Sequence, residues 1–204
     1  MQAGVLKSLL WIAGFISLML GLFVASVMSP KLLTKPQFQE LGFYQFETPR
    51  QINEFELVDH LGNTVSNENL LGQWSLLFFG FTFCPDVCPT TLSVLNEAVS
   101  KLENPPQVIM VSVDPERDTP AVLANYVPSF NPAFVGYTGT FDGIVSLAVQ
   151  LNIAFGKVPG LEVGAYTVDH SANIVVVNPR GHYAGFMRAP HNAQNIGKVV
   201  SHLR

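Results

Sequence analysis

From Leu9 to Met28 the chain reads LLWIAGFISLMLGLFVASVM, twenty residues without a charge. As a helix rising about 1.5 Å per residue, such a stretch spans a hydrocarbon core of about 30 Å. Residues 1–28 are therefore expected to form an N-terminal transmembrane helix. A cleaved secretory segment is the rival, because Ala25 and Ser26 are small, but secretory apolar regions run only about 7–15 residues. Lys7 on one side and Lys31 and Lys35 on the other nearly balance the positive-inside rule. Pro30, Pro36 and Pro49 follow among polar and scattered aromatic residues with no sustained period, so residues 29–50 read as a linker.

From 51 to 204 the pattern changes to that of a folded domain. Phe55, Leu57 and Val58, then a turn through His60, Leu61, Gly62 and Asn63, then Thr64 and Val65, predict a hairpin. The apolar run Trp74 to Phe81 predicts a central strand covered on both faces. Leu92, Leu95, Val99 and Leu102 recur at helical spacing until Pro105 and Pro106 stop them. Val108 to Val113 predicts a second buried strand, and Thr119 before Pro120 caps a helix through about Tyr126. A short strand at Phe134 to Tyr137 precedes a helix burying Ile144, Val145, Leu147, Ala148 and Leu151. Strands at Tyr166 to Val168, Ile174 to Val177 and Tyr183 to Met187 lead to a last helix with Ile196, Val199, Val200 and Leu203 on one side. Strands alternating with helices, followed by a hairpin and a final helix, give an α/β fold of the thioredoxin-like type.

Composition narrows the function. Hydrophobic residues make up 48% and charged residues only 13%, which fits a membrane-attached chain. The net charge of −4 and the lack of any basic run argue against nucleic acid as a partner. Two cysteines are too few for a disulfide scaffold.

Those cysteines lie in Phe81-Thr-Phe-Cys84-Pro-Asp-Val-Cys88-Pro, where the buried strand hands over to a helix. A helix N-terminus stabilises thiolate and is expected to lower the thiol pKa below its free value of about 8.5. Four positions apart on a first helical turn, the two sulfurs share one side, close enough to grip one ion or to form a disulfide. Two buried cysteines acting as small hydrophobes is the bland alternative. Soft thiolates favour Cu(I) or zinc, and a firmly held ion calls for a nitrogen as well. Of the five histidines, His60 and His182 fall in predicted turns, and His191 and His202 flank or sit on the terminal helix, so a structural or solvated role is expected for these four. His170 stands near a strand end at the loop edge of the sheet, where ligands gather, and is the candidate. The acidic trio Asp114, Glu116 and Asp118 reads as turn chemistry and helix capping rather than as a second metal site. Asp86, between the cysteines, would raise their pKa, and Asp169 points away from His170 on an extended chain.

The motifs Phe81 to Pro89, Val113-Asp-Pro-Glu-Arg-Asp-Thr-Pro120, Tyr126 with Gly136-Tyr-Thr-Gly-Thr140, and Val168-Asp-His-Ser171 occur in order. From about Phe55 to Leu203 the chain resembles the Sco (SenC) family of copper-binding assembly factors for cytochrome c oxidase. The resemblance implies a thioredoxin-like domain on a single membrane anchor, with copper as Cu(I) or Cu(II) bound through Cys84, Cys88 and His170. It implies delivery of copper to the binuclear centre in the copper-bearing subunit of cytochrome c oxidase, or upkeep of that centre's thiols. Phe83 departs from the family, many members of which carry a polar residue or histidine there. With no Arg-rich, Ser-rich transit region, a bacterial inner-membrane, single-pass placement with the domain in the periplasm is expected. A membrane-anchored thiol-disulfide oxidoreductase using Cys84 and Cys88 is the alternative, and a peroxidase of related fold is a weaker one, lacking a separate peroxidatic cysteine context beyond Thr82.

Overall fold

The computed structural model describes residues 2–28, 33–160 and 165–203. Two compact units are present, one before Thr34 and one from Thr34 onward. Among the described residues the first contains one helix, α1 (Gln2–Met28). Within it Lys7–Ser26 is long and apolar enough to cross a membrane, and its side chains are exposed throughout. An apolar surface of that length facing outward suits lipid rather than water, as a single-pass anchor requires.

The second unit comprises α2 (Lys35–Glu40), β1 (Phe43–Gln51), β2 (Leu57–Asp59), β3 (Thr64–Val65), β4 (Ser75–Gly80), α3 (Val87–Val99), β5 (Gln107–Ser112), α4 (Pro120–Tyr126), β6 (Val135–Thr138), α5 (Phe141–Gln150), β7 (Phe155–Pro159), β8 (Tyr166–His170), β9 (Ile174–Val177), β10 (His182–Met187) and α6 (Ala193–Val200). Eight strands form one sheet in the order β1-β10-β9-β4-β5-β6-β2-β3. Here β4, β5 and β6 run parallel, while β9 runs antiparallel to β4. Every residue of β4 and β9 is buried, which is why the sequence there is apolar without alternation. Thr119 accepts from the Val122 N–H and Pro120 takes the first helical position, so α4 begins where its cap predicts. Helix α3 stops at Val99, short of Leu102. A Cβ at Gly197 of α6 would stand 3.2 Å from the Ala98 carbonyl oxygen, so glycine permits the close approach of α6 to α3.

Of the linker expected over residues 29–50, residues 29–32 lie outside the described residues, and the chain forms regular structure from Lys35 onward. The Gln37 side chain accepts from the Thr34 N–H at 2.9 Å as α2 begins, and β1 pairs antiparallel with β10. Phe43 is fully buried, its ring meeting that of Phe38 edge-on at 5.3 Å. As an edge strand β1 pairs on one side only, with a register shift between Gln45 and Arg50, and most of its residues are not buried. That broken alternation makes an edge strand look like a tether. Likewise β7, largely exposed, carries no hydrophobic signal, and β8 extends through Asp169 and His170 instead of ending at Val168.

His191 plays the structural role expected of it. Its Nε2 lies 2.6 Å from the Ala172 carbonyl oxygen, to which it donates, and burial lowers its pKa against the opposing pull of that carbonyl.

Two predictions test this frame. Phe43→Ala should lower the unfolding free energy by about 3–5 kcal/mol in urea denaturation, while Gln45→Ala, at an exposed position of the same strand, should change it by less than about 0.5 kcal/mol. For His191 the native pKa lies below the unfolded value of about 6.5, so its share of stability is intact above that pH and is lost as pH falls toward the native value. Thermal unfolding of His191→Gln at pH 7.5 and at pH 5 should show a smaller decline on acidification than the wild type.

Candidate metal centre

The site lies where the parallel strands β4 and β5 end. After Gly80 the chain turns through Phe81 to Asp86 before α3 begins at Val87, so Cys84 stands in the loop and Cys88 alone is on the first helical turn. A buried carboxylate holds that loop. Asp118, in the connection from β5 to α4, accepts from the Thr82 N–H at 3.0 Å, the Thr82 hydroxyl at 2.5 Å and the Ser112 hydroxyl at 2.7 Å. Asp114 is also buried, accepting from the Tyr166 hydroxyl at 2.8 Å and pairing with Arg117. The acids read as helix caps thus serve a different end: Asp118 ties together the two loops at the site, and Asp114 anchors Arg117 and Tyr166. The one legible sign was their place at the end of a buried strand.

Both cysteines are free thiols, Cys84 half-buried and Cys88 fully buried. The Cys84 N–H donates to the Phe81 carbonyl at 3.3 Å, and the Cys88 N–H donates to Cys84 Sγ at 3.4 Å, the geometry by which a helix N-terminus supports a thiolate. At Cys88 burial wins instead. Loss of water pushes its thiol well above the ordinary range, and the neighbouring Cys84 sulfur adds to the rise, so the lowering expected at a helix N-terminus is overturned for Cys88. Gly80 makes room for this sulfur: a Cβ there would come within 2.9 Å of Cys88 Sγ.

His170 arrives from 82 positions away through strand register. Ile174 of β9 pairs with Phe78 of β4 in antiparallel sense, so the residues just before Ile174 pass the end of β4 that leads to the cysteines. The His170 ring meets the Phe78 and Phe81 rings edge-on, each at 5.9 Å. Its Nδ1 lies 3.2 Å from the Ser171 carbonyl, an acceptor only, so Nδ1 carries the proton and Nε2 presents its lone pair. Nε2 is 3.5 Å from Cys88 Sγ. Burial lowers the His170 pKa, with the Ser171 carbonyl and Asp169 opposing, which favours the neutral ligand form. Asp169 itself is exposed.

The donor atoms of Cys84, Cys88 and His170 all lie within 4.8 Å of one another. Ligand bonds of about 2.0–2.3 Å put donors about 4 Å apart around one ion, so closure by less than about 1 Å suffices. Two sulfurs and one imidazole suit a soft or borderline metal. His60 accepts from the Gly136 N–H and His202 lies against the Lys198 carbonyl, both outside this cluster.

Comparison with known proteins places the fold and the family. The family model SCO1/SenC matches residues 45–203. A Stutzerimonas stutzeri relative is 38% identical over 159 residues, covering 76% of this chain and 77% of its own length. The mitochondrial SCO2 homolog of Bos taurus is 37% identical over 152 residues, covering 72% of this chain, and the matched part spans 57% of that relative. The crystal structure of Arabidopsis thaliana ScoI with copper bound superposes with a TM-score of 0.69 at 33% identity, over 74% of this chain and 96% of that one. A mixed α/β sheet of this thioredoxin-like kind, with matching sequence along nearly the whole of the second unit, places the chain in the SCO1/SenC family.

Proposed function

We propose that the protein is a copper carrier in the assembly of cytochrome c oxidase, taking the ion through Cys84, Cys88 and His170 and passing it to the oxidase's copper-bearing subunit. The observation that carries this reading is the convergence of one imidazole and two sulfurs within 4.8 Å. It is supported by the copper-bound state of the Arabidopsis relative and by the family's link to oxidase assembly. The domain is tethered by α1 to a bacterial inner membrane and faces the periplasm, the side on which such a copper centre is built.

Cys84 and Cys88 bind Cu(I) as thiolates, each giving up its proton on binding. Neutral His170 supplies the nitrogen through Nε2, and matters most for Cu(II), for which two sulfurs alone are a poor donor set. Cys84, the half-exposed sulfur, is the one a docked partner reaches first.

That same asymmetry supports a second reading, thiol-disulfide exchange. A Cys84 thiolate attacks a partner disulfide and forms a mixed disulfide, and Cys88 then attacks Cys84 Sγ. The partner leaves with two thiols while a Cys84–Cys88 disulfide remains here.

Copper content of the purified full chain in detergent tests the first reading. The wild type should hold one copper per chain and the Cys84→Ser/Cys88→Ser double variant none; retention of one ion by the double variant would sink it. His170→Ala should keep Cu(I) but lose Cu(II) affinity by about tenfold or more, read by competition titration and by the Cu(II) absorption spectrum. A pure reductase, in contrast, should keep its rate of disulfide exchange in His170→Ala.

A further inference from the structure

His170 belongs to a hairpin that, among the described residues, pairs with no strand of the main sheet, since β7 and β8 form a two-stranded sheet of their own. A two-stranded ribbon is marginal by itself, so contacts outside its ladder must hold it against the site. Tyr166, Val168 and His170 alternate along β8 and therefore share one face. Val168 is buried, and His170 lies against Cys88, Phe78 and Phe81 at one end of that face. Tyr166 is the fastening at the other end.

The Tyr166 ring lies under two cations, with the Arg117 guanidinium carbon 3.9 Å and Lys157 Nζ 4.4 Å from its centroid. Its hydroxyl donates to Asp114 at 2.8 Å, and its carbonyl accepts from Arg117 Nη1 at 3.3 Å. Both cations are themselves tied down, Arg117 to buried Asp114 and Lys157 to Glu116 at 2.6 Å. The same guanidinium stands 4.8 Å from the Phe83 ring and 5.8 Å from the Phe81 ring, flanking the cysteine loop. One side chain therefore touches the loop before α4, the loop that carries Cys84, and the hairpin that carries His170.

We propose that Arg117 and Tyr166 are positioning residues of the metal centre: their stacked pair presses β8 onto the cysteine loop and so holds the imidazole at ligating distance from the sulfurs. Neither donates to the ion. The consequence is selective, because Cu(I) is satisfied by the two thiolates, whereas Cu(II) depends on the nitrogen that the pair keeps in place. The inference rests on the copper-carrier reading for its metal readout but not for its structural one.

Tyr166→Leu removes ring and hydroxyl while leaving the Arg117–Asp114 pair intact. In the copper-free full chain, amide hydrogen exchange over residues 167–170 should quicken about tenfold, the loss expected for the Arg117 stack and one hydrogen bond, since Lys157 belongs to the hairpin itself. Cu(II) affinity should fall about ten- to hundredfold with its absorption spectrum altered, while Cu(I) stays at one ion per chain. Tyr166→Phe, which retains the stack, should restore most of both. Arg117→Lys keeps a cation for Asp114 without a planar group to stack, and should show the same pattern in smaller measure, which serves should Tyr166→Leu fold poorly. Unchanged exchange at 167–170 in both variants, or equal losses of Cu(I) and Cu(II) affinity, overturns the proposal. A wild-type chain that binds no copper defeats the carrier reading alone, because the copper-free exchange comparison still decides the role of the pair.

Discussion

The Asp118 carboxylate, buried where β5 ends, is the constraint on which the rest of the centre depends. A carboxylate out of water is costly unless donors replace its hydration, and three do so: the Thr82 amide, the Thr82 hydroxyl and the Ser112 hydroxyl. Two of those donors belong to the loop after β4 and one to the end of β5. Their shared acceptor forces the loops to lie side by side. Cys84 then follows Thr82 by two residues, and Cys88 enters α3 over Gly80, where no side chain competes for the space of its sulfur. Removing any one donor would leave charge unsatisfied in the interior, so the loop has little freedom to wander.

Burial and helix position give the two thiols different surroundings. Cys84, outside the helix and half-exposed, accepts an amide hydrogen bond from the helix's first turn. Cys88, on that turn, is fully enclosed, and the loss of water outweighs the favourable end of the helix. One sequence motif therefore holds two chemically distinct sulfurs. The neutral imidazole beside Cys88 suits the deeper one, since an aromatic setting disfavours charge on both.

Much of this was legible in the chain. Continuous apolar runs fixed β4 and β9 because both are buried on both faces, and Thr119-Pro120 marked the start of α4 through cap chemistry that is local. Cys84 and Cys88 stood out for the same reason, four residues apart at a strand-to-helix junction. The pairing of β9 with β4 was not legible, because register is a property of two distant segments. His170 was consequently only a candidate by position until the family resemblance was added. β1 escaped notice because an irregular edge strand lacks alternation, and β7 because its residues face outward. Asp118 looked like a capping residue because nothing local reveals that its carboxylate turns inward to Thr82 and Ser112.

The centre is thus assembled from two halves of different stiffness. The sulfurs sit on a strand-to-helix turn within the eight-stranded sheet, braced by a buried carboxylate. The imidazole comes on a separate two-stranded ribbon whose side-chain contacts are partly at the surface, with Glu116 and Lys157 both exposed. Ladder hydrogen bonds between central strands open only with the whole domain, whereas a surface ribbon opens at a fraction of that free energy. A resident cofactor would gain from equal rigidity in every ligand. A cargo has to leave, and departure is easiest when ligands are replaced one at a time. On the copper-carrier reading, a pair of sulfurs with one half-exposed member, joined by a nitrogen on a ribbon packed partly at the surface, would permit that stepwise exchange without unfolding the site.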